Sequence, residues 1–432
     1  MNMDNFEASY KALLDDIFTR FPSVQNAGFR GDSYKPGLDR MRRFAALLGN
    51  PQDSFMSVHV AGTNGKGSVS SMMASQLAAN GCRTGIFTSP HLFDFRERAR
   101  MVTGSGYEFV PKEFVAGFLE EWKETFTELG LSFFEITTAL AFCWFKSMGA
   151  DAAVIEVGLG GRLDSTNIIT PGLSIITSIG LDHCDLLGST LAQIAGEKAG
   201  IIKEGIPVVY GKMEREAEEV ILSTAAQKGA RGLRYDAVAD PAPQVSRPTG
   251  MEGDYQDINS RTVKTACSVL GLDFSPQAHI DTQSRTGFFG RWEVISRQPM
   301  VICDIGHNPQ ALEGNFSQLE RMMRTDGFDA LIIVYGVMAD KDLGSIVPLM
   351  PEDADYIFTA PSTPRAMPAD TVLARFSALR PGCRAAAATS VEQATQAAFT
   401  KASAHKKPLI YFGGSTFVVA EAVPNIKKTL TL

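Results

Sequence analysis

The sequence predicts an α/β protein in which a phosphate-loop-containing open parallel-sheet domain is followed by a smaller Rossmann-like α/β domain. Three observations lead to this prediction. The chain has 432 residues, more than one ordinary hydrophobic core accommodates. Short, wholly apolar segments alternate with amphipathic stretches, which is typical of parallel strands covered by helices on both faces. The alternation starts again after about residue 285, so we place the domains at residues 1–288 and 289–432.

The elements follow from this alternation. In the first domain we predict strands at SFMSVHVAG, TGIFTS, AAVIEVG, LSIITSIG and IPVVYG, and helices over 68–79, 112–128, 133–148, 191–202 and 214–227. In the second domain we predict strands at PMVICDIG, ALIIVYG, DADYIFTA and PLIYFGGS, and helices beginning at Pro309 and Val391. The stretch DAVADPAPQVSRPTGMEGDYQ has three prolines and little periodicity, so it is predicted to be a rim loop.

Composition and charge exclude several classes of protein. A formal net charge of -7 gives no general attraction to nucleic acid or to an anionic membrane, so we expect neither as a partner. The first residues, MNMDNFEASYKALLDDIF, carry acids among the apolar residues and do not resemble a signal peptide. The apolar run ITTALAFCWF is too short to cross a bilayer and is predicted to be a buried helix. We therefore expect a cytoplasmic protein.

Six scattered cysteines form no C-x-x-C pair, which predicts buried free thiols and neither a zinc site nor disulfides.

The stretch SVHVAGTNGKGSVSS is the first candidate site. It follows a predicted strand and precedes a predicted helix, where successive backbone N–H groups and the positive helix end bind phosphate. Lys66 would add a positive charge, and the hydroxyl of Ser68 could reach a metal ion. The usual phosphate loop places the hydroxyl residue directly after the lysine, whereas here Gly67 intervenes. The alternative is a strand-to-helix turn in which the glycines only relieve crowding.

Glu156 is the one charged residue in the apolar run AAVIEVG. A buried carboxylate is costly unless a cation accompanies it, and magnesium would meet that need. If this strand neighbours the strand before the glycine-rich loop, Glu156 would face the same site as Ser68. The alternative is that Glu156 pairs with Arg162 at the end of the strand.

A third group of polar residues follows LSIITSIG, at the carboxyl edge where open α/β sheets bind ligands. This group contains Asp182, His183 and Asp185, and together with Glu156 and Ser68 it favours a metal role for His183. Nearby, AGEKAGIIK places Lys198 towards the end of a predicted helix, where its composition alone indicates a solvated lysine.

In the second domain, CDIGHNP brings Asp304, His307 and Asn308 to a switch from strand to helix, which indicates a site. Plain N-capping is the alternative for Asn308. The motif ADKD (residues 339–342) is as consistent with a solvated acidic turn as with a function.

Ten motifs in order resemble the folylpolyglutamate synthase and dihydrofolate synthase family, the folate relatives of the Mur ligases. They are HVAGTNGKGS, TSPHL, FEITTALAF, EVGLGGRLDSTN, LDH with a following LG, EKAGIIK, GDYQ with a following N, GRWE, DIGHNP and DKD. They span roughly residues 35 to 415, and G-T-N-G-K-G-S is that family's own phosphate loop. The resemblance implies a bifunctional ATP-dependent amide ligase. Such an enzyme joins L-glutamate to dihydropteroate and/or to the glutamate tail of reduced folates through an acyl phosphate.

The resemblance also implies roles for individual residues. It assigns the ATP phosphates to Gly62, Thr63, Asn64, Gly65, Lys66, Gly67 and Ser68, and further ATP contacts to Asn259, Arg291, Asp304 and His307. It assigns two magnesium ions to Ser68, Glu156, His183 and a carbamylated Lys198, and catalysis to Lys66, Glu156, His183 and Lys198. It assigns the folate substrate to Ser89, Pro90, His91, Phe134 and Asp164. The residues of both domains would meet when the domains close, and a monomer is expected.

Two features depart from the family. D-I-G-H-N-P replaces the usual D-G-A-H-N-P, and residues 231–250 match nothing that we can place. A Mur-type ligase acting on a nucleotide-linked sugar is the enzymatic alternative. Such a ligase would normally need an additional N-terminal domain for the uridine nucleotide, and only about 50 residues precede the phosphate-loop strand here. A regulatory ATP-binding protein without chemistry is the other alternative, and it would not need the cluster around Asp304.

Overall fold

The chain folds as two α/β units, each built on its own sheet. The computed structural model describes residues 3–24, 28, 35–104, 106–238 and 251–431. The first unit comprises Met1–Gly250 and Gln256–Phe288, and the second comprises Met251–Tyr255 and Phe289–Leu432. The chain therefore enters the second unit for five residues before it returns to the first.

The sheet of the first unit is mostly parallel. Its strands are β1 (Met56–Ala61), β2 (Thr84–Phe87), β3 (Ala99–Thr103), β4 (Gly106–Phe109), β5 (Ala152–Glu156), β6 (Leu173–Ile176), β7 (Val208–Tyr210) and β8 (Gly232–Arg234). Their order is β4-β3-β2-β5-β1-β6-β7-β8, and only β2–β3 and β3–β4 pair antiparallel. Strand β1 lies between β5 and β6, so the carboxyl ends of these three strands form one edge, where ligands bind in such sheets.

Helices cover this sheet. They are α1 (Met3–Arg20), α2 (Asp39–Leu47), α3 (Lys66–Ala79), α4 (Lys112–Glu128), α5 (Phe133–Ser147), α6 (Cys184–Leu187), α7 (Leu191–Ala199), α8 (Arg215–Gln227), α9 (Gln256–Leu270), α10 (Pro276–Ile280) and α11 (Thr282–Thr286). Short 3-10 turns span Pro51–Ser54, Phe95–Arg98 and Ser165–Ile168. Helix α3 packs against β2, β5 and the helices α9 to α11, so it is buried on nearly every side. An aromatic-rich core lies under α1, α4 and α5.

The second unit repeats the plan on a smaller scale. Its strands are β9 (Glu293–Arg297), β10 (Met300–Cys303), β11 (Ala330–Tyr335), β12 (Asp355–Phe358), β13 (Arg384–Ala387) and β14 (Pro408–Gly413). Its helices are α12 (Pro309–Thr325), α13 (Leu343–Ile346), α14 (Ala369–Leu379), α15 (Val391–Ala402) and α16 (Thr416–Leu430), with a 3-10 turn at Val347–Leu349. The strand order is β13-β12-β11-β14-β10-β9, and only β9 pairs antiparallel, with β10.

The predicted fold class is confirmed, with one correction at the sheet edges. The wholly apolar runs are parallel strands as predicted, but β3, β4 and β9 are antiparallel strands that the apolar signal did not reveal. Strand β3 carries the buried Arg100 and β4 is largely exposed, so neither reads as a continuous apolar run. The predicted helix 191–202 ends earlier, at Ala199, and Gly200 is its C-cap residue.

All six cysteines are free, but only Cys267 and Cys303 are buried, and Cys184 is exposed. The predicted helix at ITTALAFCWF is the buried α5. Among the described helices, none has the length and apolarity that crossing a membrane requires. Most of the predicted rim loop, residues 239–250, lies outside the described residues.

Candidate active site

The glycine-rich stretch forms the predicted link between strand and helix. We call Gly62–Ser68 the phosphate loop; it leaves β1 at Ala61 and enters α3 at Lys66. Gly65 precedes the helix with a left-handed φ of 87°. A Cβ atom on Gly62 would lie 1.9 Å from the hydroxyl oxygen of Thr177, so only glycine fits there. The N–H groups of the first helical turn point out of this helix end, the arrangement that binds anions.

Hydrogen bonds tie the phosphate loop to the segment that follows β6. The N–H of Thr63 donates to the carbonyl of Ser178 at 2.8 Å, and the Thr63 hydroxyl contacts both backbone groups of Gly180 at 3.0 and 3.1 Å. The carbonyl of Asn64 accepts from the hydroxyls of Thr177 at 2.6 Å and Ser178 at 3.0 Å. The shape of the loop is therefore fixed by side chains from a neighbouring strand end.

Two lysines meet at the start of the phosphate loop. Lys66 Nζ donates to the carbonyl oxygens of Gly62 at 3.0 Å and Thr63 at 3.2 Å. Lys198 Nζ also donates to the carbonyl of Gly62, at 3.0 Å. Two lysine Nζ atoms thus converge on one carbonyl oxygen at this end of the loop.

Lys198 is buried, so the solvated lysine expected from its composition is wrong. It lies on α7 beside the buried residues Ala195 and Ala199, and only 4% of it is exposed. Burial, assisted by the charge of Lys66, lowers the pKa of Lys198 from 10.5 to about 7. A large share of Lys198 is therefore the neutral amine near pH 7.

Glu156 lies at the phosphate loop, as the sequence predicts if the two strands are neighbours. It ends β5 opposite Val60 of β1 and is 3% exposed. Its Oε2 accepts from the N–H of Ser89 at 3.1 Å, and a Cβ atom on Gly67 would lie 3.8 Å from the same oxygen. Arg162, the partner considered from the sequence, instead donates to Glu197.

Ser68 is held by a residue that the sequence did not single out. Its Oγ accepts from Nε2 of Gln256 at 3.1 Å, and both side chains are 1% exposed. Oε1 of Gln256 accepts from Nδ2 of Asn259 at 2.8 Å, and a Cβ atom on Gly65 would lie 2.6 Å from Asn259 Oδ1. Asn259 is therefore beside the phosphate loop. The available signal was the i, i+3 spacing of Gln256 and Asn259, which places both on one face of α9.

His183 follows β6, on the segment that also holds the phosphate loop. It takes a left-handed φ of 53° as the residue before α6, and its Nε2 lies 3.8 Å from Asp182 Oδ2. Asp185 is exposed. Within the ranges that the structure describes, no three His, Cys, Asp or Glu side chains converge as a metal site. The suggested ligands Ser68, Glu156, His183 and Lys198 do not include three side chains of those types.

The motif TSPHL brings a histidine and a buried arginine together. Arg98 Nε donates to His91 Nδ1 at 2.9 Å, and the guanidinium lies 5.2 Å from the centre of the Phe133 ring. Burial and the Arg98 charge lower the pKa of His91 to about 3, so His91 is neutral. Phe18 of α1 stacks on Phe133 at 5.0 Å and lies 6.2 Å from the His91 ring. Ser89 and Pro90, which precede His91 in the motif, are joined by a cis peptide bond.

The segment 132–135 begins α5, and its polar residues form a capping box. The Ser132 hydroxyl accepts from the N–H of Glu135, and Glu135 Oε2 accepts from the N–H of Ser132 at 2.7 Å. Glu135 is fully buried and pairs with Arg40 at 3.3 Å. Phe134 packs against Gly158, where a Cβ atom would lie 2.6 Å from its ring. The polar residues of this segment therefore serve the helix end.

Asp164 anchors the loop that follows Glu156. Its Oδ2 accepts from the N–H groups of Gly158 at 3.1 Å and Leu159 at 3.0 Å, and its Oδ1 accepts from the N–H and hydroxyl of Thr166 at 3.0 and 2.5 Å. Burial raises the pKa of Asp164. Because Thr166 gives its one hydroxyl proton to Asp164, the fully buried His59 must donate from Nε2 to Thr166 Oγ1, 2.9 Å away. This hydrogen-bonded chain joins β1 to the loop after β5.

In the second unit, Asp304 is the centre of a buried network. Its Oδ2 accepts from the Tyr255 hydroxyl and the Trp292 N–H, each at 2.8 Å. Its Oδ1 accepts from the Gly306 N–H at 2.6 Å and from Asn315 Nδ2 at 2.8 Å. Both carboxylate oxygens are thus occupied by groups of the same unit. A Cβ atom on Gly306 would lie 2.8 Å from Asp304 Oδ1, so D-I-G-H-N-P needs its glycine at this position.

The remaining predicted residues of this unit surround Asp304. The charge of Arg291 acts on the buried Tyr255 hydroxyl, so Arg291 lies near this network. His307 Nδ1 lies 3.0 Å from the carbonyl of Ile305 and donates to it, because a carbonyl oxygen can only accept. Asn308 caps α12 by accepting from the N–H of Ala311 at 3.0 Å, which is the N-capping role considered as the alternative from the sequence. In ADKD, Asp342 caps α13 and Asp340 pairs with Arg365.

Two family models of Mur ligase domains match this chain. A family model described as "Mur ligase middle domain" matches residues 60–236, and one described as "Mur ligase, glutamate ligase domain" matches residues 290–415. The chain is 33% identical to folylpolyglutamate synthase of Lacticaseibacillus casei over 361 residues, 76% of this chain and 82% of that protein. It is 32% identical to dihydrofolate synthase/folylpolyglutamate synthase of Escherichia coli over 408 residues, 90% of each.

Two solved structures resemble the whole fold. Escherichia coli FolC in complex with DHPP and ADP has a TM-score of 0.82 and 28% identity and covers 98% of each chain. A bifunctional folylpolyglutamate synthase/dihydrofolate synthase with Mn, AMPPNP and L-glutamate bound has a TM-score of 0.76 and 27% identity and covers 92% of this chain and 95% of the other. Both the sequence and the fold of this chain therefore resemble the same group of proteins.

Proposed function

We propose, from the premise that this chain belongs to the folylpolyglutamate synthase/dihydrofolate synthase family, that it joins L-glutamate to dihydropteroate and to the glutamate tail of reduced folates at the expense of ATP. The single observation that carries the proposal is Glu156. It is a buried carboxylate at the end of β5, directly opposite the strand that enters the phosphate loop. A plain glycine-rich turn does not need a buried anion beside it, whereas a site for a nucleotide and a metal ion does.

The phosphate loop would bind the ATP phosphates. The first-turn amides of α3 point out of the helix end, and Lys66 would move from the loop carbonyls to the phosphates when ATP binds. Ser68 and Glu156 supply hard oxygen ligands, the kind that magnesium binds, from two neighbouring elements. Bound magnesium would neutralise the charge that spreads over the transferred phosphoryl group. His183, on the segment after β6, is proposed for a second metal ion.

The reaction has two chemical steps. An oxygen of the substrate carboxylate attacks the γ-phosphorus of ATP, the bond to the β-phosphate oxygen breaks, and ADP and an acyl phosphate form. The amine of L-glutamate then attacks the acyl carbon, loses a proton, and displaces phosphate to give the amide. Lys66 and the loop amides would stabilise the charge of the transferred group, and alignment supplies much of the rate.

We also propose that Lys198 carries a carbamate in the active protein. Its lowered pKa, about 7, supports this, because only a neutral amine attacks CO₂. A bond forms between Nζ and the carbon of CO₂, one carbon–oxygen π bond breaks, one proton leaves the nitrogen, and the neutral amine becomes an anionic carbamate. That anion would suit a second metal ion, and its position beside Gly62 supports this role.

Residues of the second unit are proposed to act differently from one another. Arg291 and His307 would contact ATP, since a guanidinium and an imidazole are suited to phosphate and ribose groups. Asp304 would act by holding Trp292 and Gly306 in place, because its oxygens are occupied. In the first unit, Asn259 is proposed to contact the adenine ring of ATP.

The folate substrate is proposed to lie against TSPHL and α5. His91, which follows Ser89 and Pro90 in the chain, lies near Phe18, and Phe18 stacks on Phe133; aromatic rings of this kind suit a flat pterin ring. Phe134 also faces the loop that Asp164 holds, so Asp164 would shape this pocket through the loop after Glu156.

The proposal is tested by measuring ADP release from purified protein with magnesium, ATP and L-glutamate. One assay contains dihydropteroate, a second contains a reduced folate monoglutamate, and a control omits L-glutamate. Release in both assays, absent from the control, supports the bifunctional ligase; release in one identifies a single activity; release in neither overturns the proposal. The monomeric state and the cytoplasmic location remain predictions, and light scattering tests the first.

A further inference from the structure

We propose that Gln256 is a positioning residue that holds two nucleotide-binding side chains at once, Ser68 and Asn259. The inference rests on the proposed function, in which Ser68 binds the metal ion at the phosphates and Asn259 binds adenine. Gln256 itself would touch neither the metal ion nor ATP. Its carboxamide would set the direction of both neighbouring side chains before the nucleotide arrives.

The geometry of the amide supports this role. Nε2 of Gln256 donates to Ser68 Oγ at 3.1 Å, and Oε1 accepts from Asn259 Nδ2 at 2.8 Å. All three side chains are buried, with 1%, 1% and 7% of Gln256, Ser68 and Asn259 exposed. Because water does not compete in such a place, the loss of either hydrogen bond would leave a buried polar group unsatisfied.

The direction of the hydrogen bond to Ser68 has a chemical consequence. A serine hydroxyl has one proton and two lone pairs. When Gln256 donates to one lone pair, the second lone pair remains for a metal ion and the proton is directed away from it. The carboxamide thus orients the Ser68 oxygen for magnesium without occupying its coordination position.

The other end of the amide orients Asn259. One of the two N–H groups of Asn259 is used by Gln256. The carbonyl oxygen and the second N–H remain, which are the acceptor and donor that recognise the edge of adenine. Gln256 begins α9 and Asn259 lies one turn later, so the rigid helix fixes the spacing between the two side chains. Gln256 would therefore couple the phosphate end of the nucleotide site to its adenine end.

The experiment compares Gln256→Met with Gln76→Met. Gln76 is an equally buried glutamine on α3, and its amide bonds both backbone groups of Ser275, at 2.8 and 2.9 Å. Each substitution removes the two side-chain hydrogen bonds given above for that glutamine, but only Gln256 contacts proposed nucleotide ligands. We measure kcat, the KM for ATP, the magnesium concentration for half-maximal rate, and the thermal midpoint.

Gln256→Met is expected to raise both the KM for ATP and the magnesium requirement at least about tenfold, which corresponds to about 1.4 kcal/mol each. Gln76→Met is expected to lower the thermal midpoint and change neither parameter by more than about twofold. In the Ser68→Ala background, Gln256→Met should add no further magnesium requirement, because it acts through Ser68. Equal effects of the Gln256 and Gln76 substitutions, or additive effects with Ser68→Ala, would overturn the inference.

Two precautions keep the outcomes distinct. The shorter pair Gln256→Asn and Gln76→Asn replaces the methionine pair if either methionine variant does not fold, and the same results support or overturn the inference. Wild-type turnover with both folate substrates is measured first, and its absence removes the proposed function. Wild-type turnover together with a Gln256 variant that behaves like its Gln76 counterpart removes only the role of Gln256.

Discussion

Lys66 and Lys198 donate to the same acceptor, the carbonyl oxygen of Gly62, each at 3.0 Å. Two ammonium groups that share one acceptor repel each other, and the buried one gives up its proton more readily. The pKa of Lys198 falls to about 7 for this reason and, to a larger extent, because of burial. The phosphate loop is therefore built around an amine whose charge changes near neutral pH.

The first prediction follows from this pKa. In the folded state Lys198 loses its proton near pH 7, but in the unfolded chain it does so near 10.5, so between these values the unfolded state binds more protons. The free energy of unfolding should then rise with pH by up to about 1.4 kcal/mol per unit relative to Lys198→Met, and the two should run parallel below pH 7. Denaturant unfolding in CO₂-free buffer measures this. Parallel curves throughout would contradict the lowered pKa.

The second prediction concerns Glu156. Glu156→Gln keeps an oxygen that can accept from Ser89 but removes the negative charge, so the fold should remain and turnover should fall by a factor of at least about 1,000. The thermal midpoint checks the fold, and ADP release checks turnover. Glu219→Gln, at an exposed ion pair on α8, is the matched control and should retain full turnover. Magnesium-dependent turnover in Glu156→Gln would refute the metal assignment.

The third prediction explains the residue that separates Lys66 from Ser68. A Cβ atom on Gly67 would lie 2.9 Å from the Phe288 ring, so Gly67→Ala should displace the start of α3 and lower kcat/KM for ATP about tenfold or more. Phe288→Leu should restore part of the loss in the double variant. A Cβ atom on Gly117 of α4 would meet open space, so Gly117→Ala should leave kcat/KM for ATP unchanged. No recovery in the double variant would show that the contact with Phe288 is not the cause.

The fourth prediction tests the chain from His59 through Thr166 to Asp164. Thr166→Val removes the hydroxyl and leaves both buried partners short of a hydrogen bond, which should lower the free energy of unfolding by about 2–4 kcal/mol. Thr224→Val, at a partly buried hydroxyl that bonds the preceding helical turn, should cost less than about 1 kcal/mol. Denaturant unfolding compares the two variants. Equal losses in the free energy of unfolding would show that the hydrogen bonds from His59 through Thr166 to Asp164 do not stabilise the fold.

The fifth prediction concerns Asp304. Tyr255→Phe removes one of four donors and should cost about 1–3 kcal/mol, whereas Asp304→Asn turns an N–H group towards donors and should cost more. Calorimetry of each variant measures the order of the two effects. Asp342→Asn, at a helix end in the same unit, controls for loss of an acid and should cost less than about 0.5 kcal/mol, because asparagine caps a helix about as well as aspartate. A larger cost for Tyr255→Phe than for Asp304→Asn would contradict the arrangement.

Much of the fold could be predicted because burial on both faces leaves a signal in the sequence. Helix α4 spans Lys112–Glu128 as predicted, and α15 begins at Val391. The antiparallel strands escaped because strands at a sheet edge need not be continuously apolar. The parts of the site that depend on one stretch of chain were predictable for the same kind of reason: the glycines and Lys66 lie together, and Glu156 interrupts an apolar strand.

The rest of the site depends on pairs that are distant in the chain. Gln256 meets Ser68 across 188 positions, and His59 meets Thr166 across 107. No local pattern encodes such a partner, since it arises only when the helices and strands pack. Lys198 shows the same limit. The composition of its helix predicts a solvent-exposed lysine, whereas the packing of α7 against the sheet buries the side chain.

The five residues Met251–Tyr255 determine how the second unit could be handled as a part. Tyr255 donates to Asp304, and Asp254 pairs with Arg321. Gln318 accepts from the N–H of Asp254 and donates to the carbonyl of Glu252. A fragment that starts at residue 289 would lack all of these partners. The buried carboxylate of Asp304 would then lose the hydrogen bond that Tyr255 donates. The second unit is thus no portable module. If it were grafted onto another enzyme, the segment Met251–Tyr255 would have to be supplied as well, from a separate place in the host sequence.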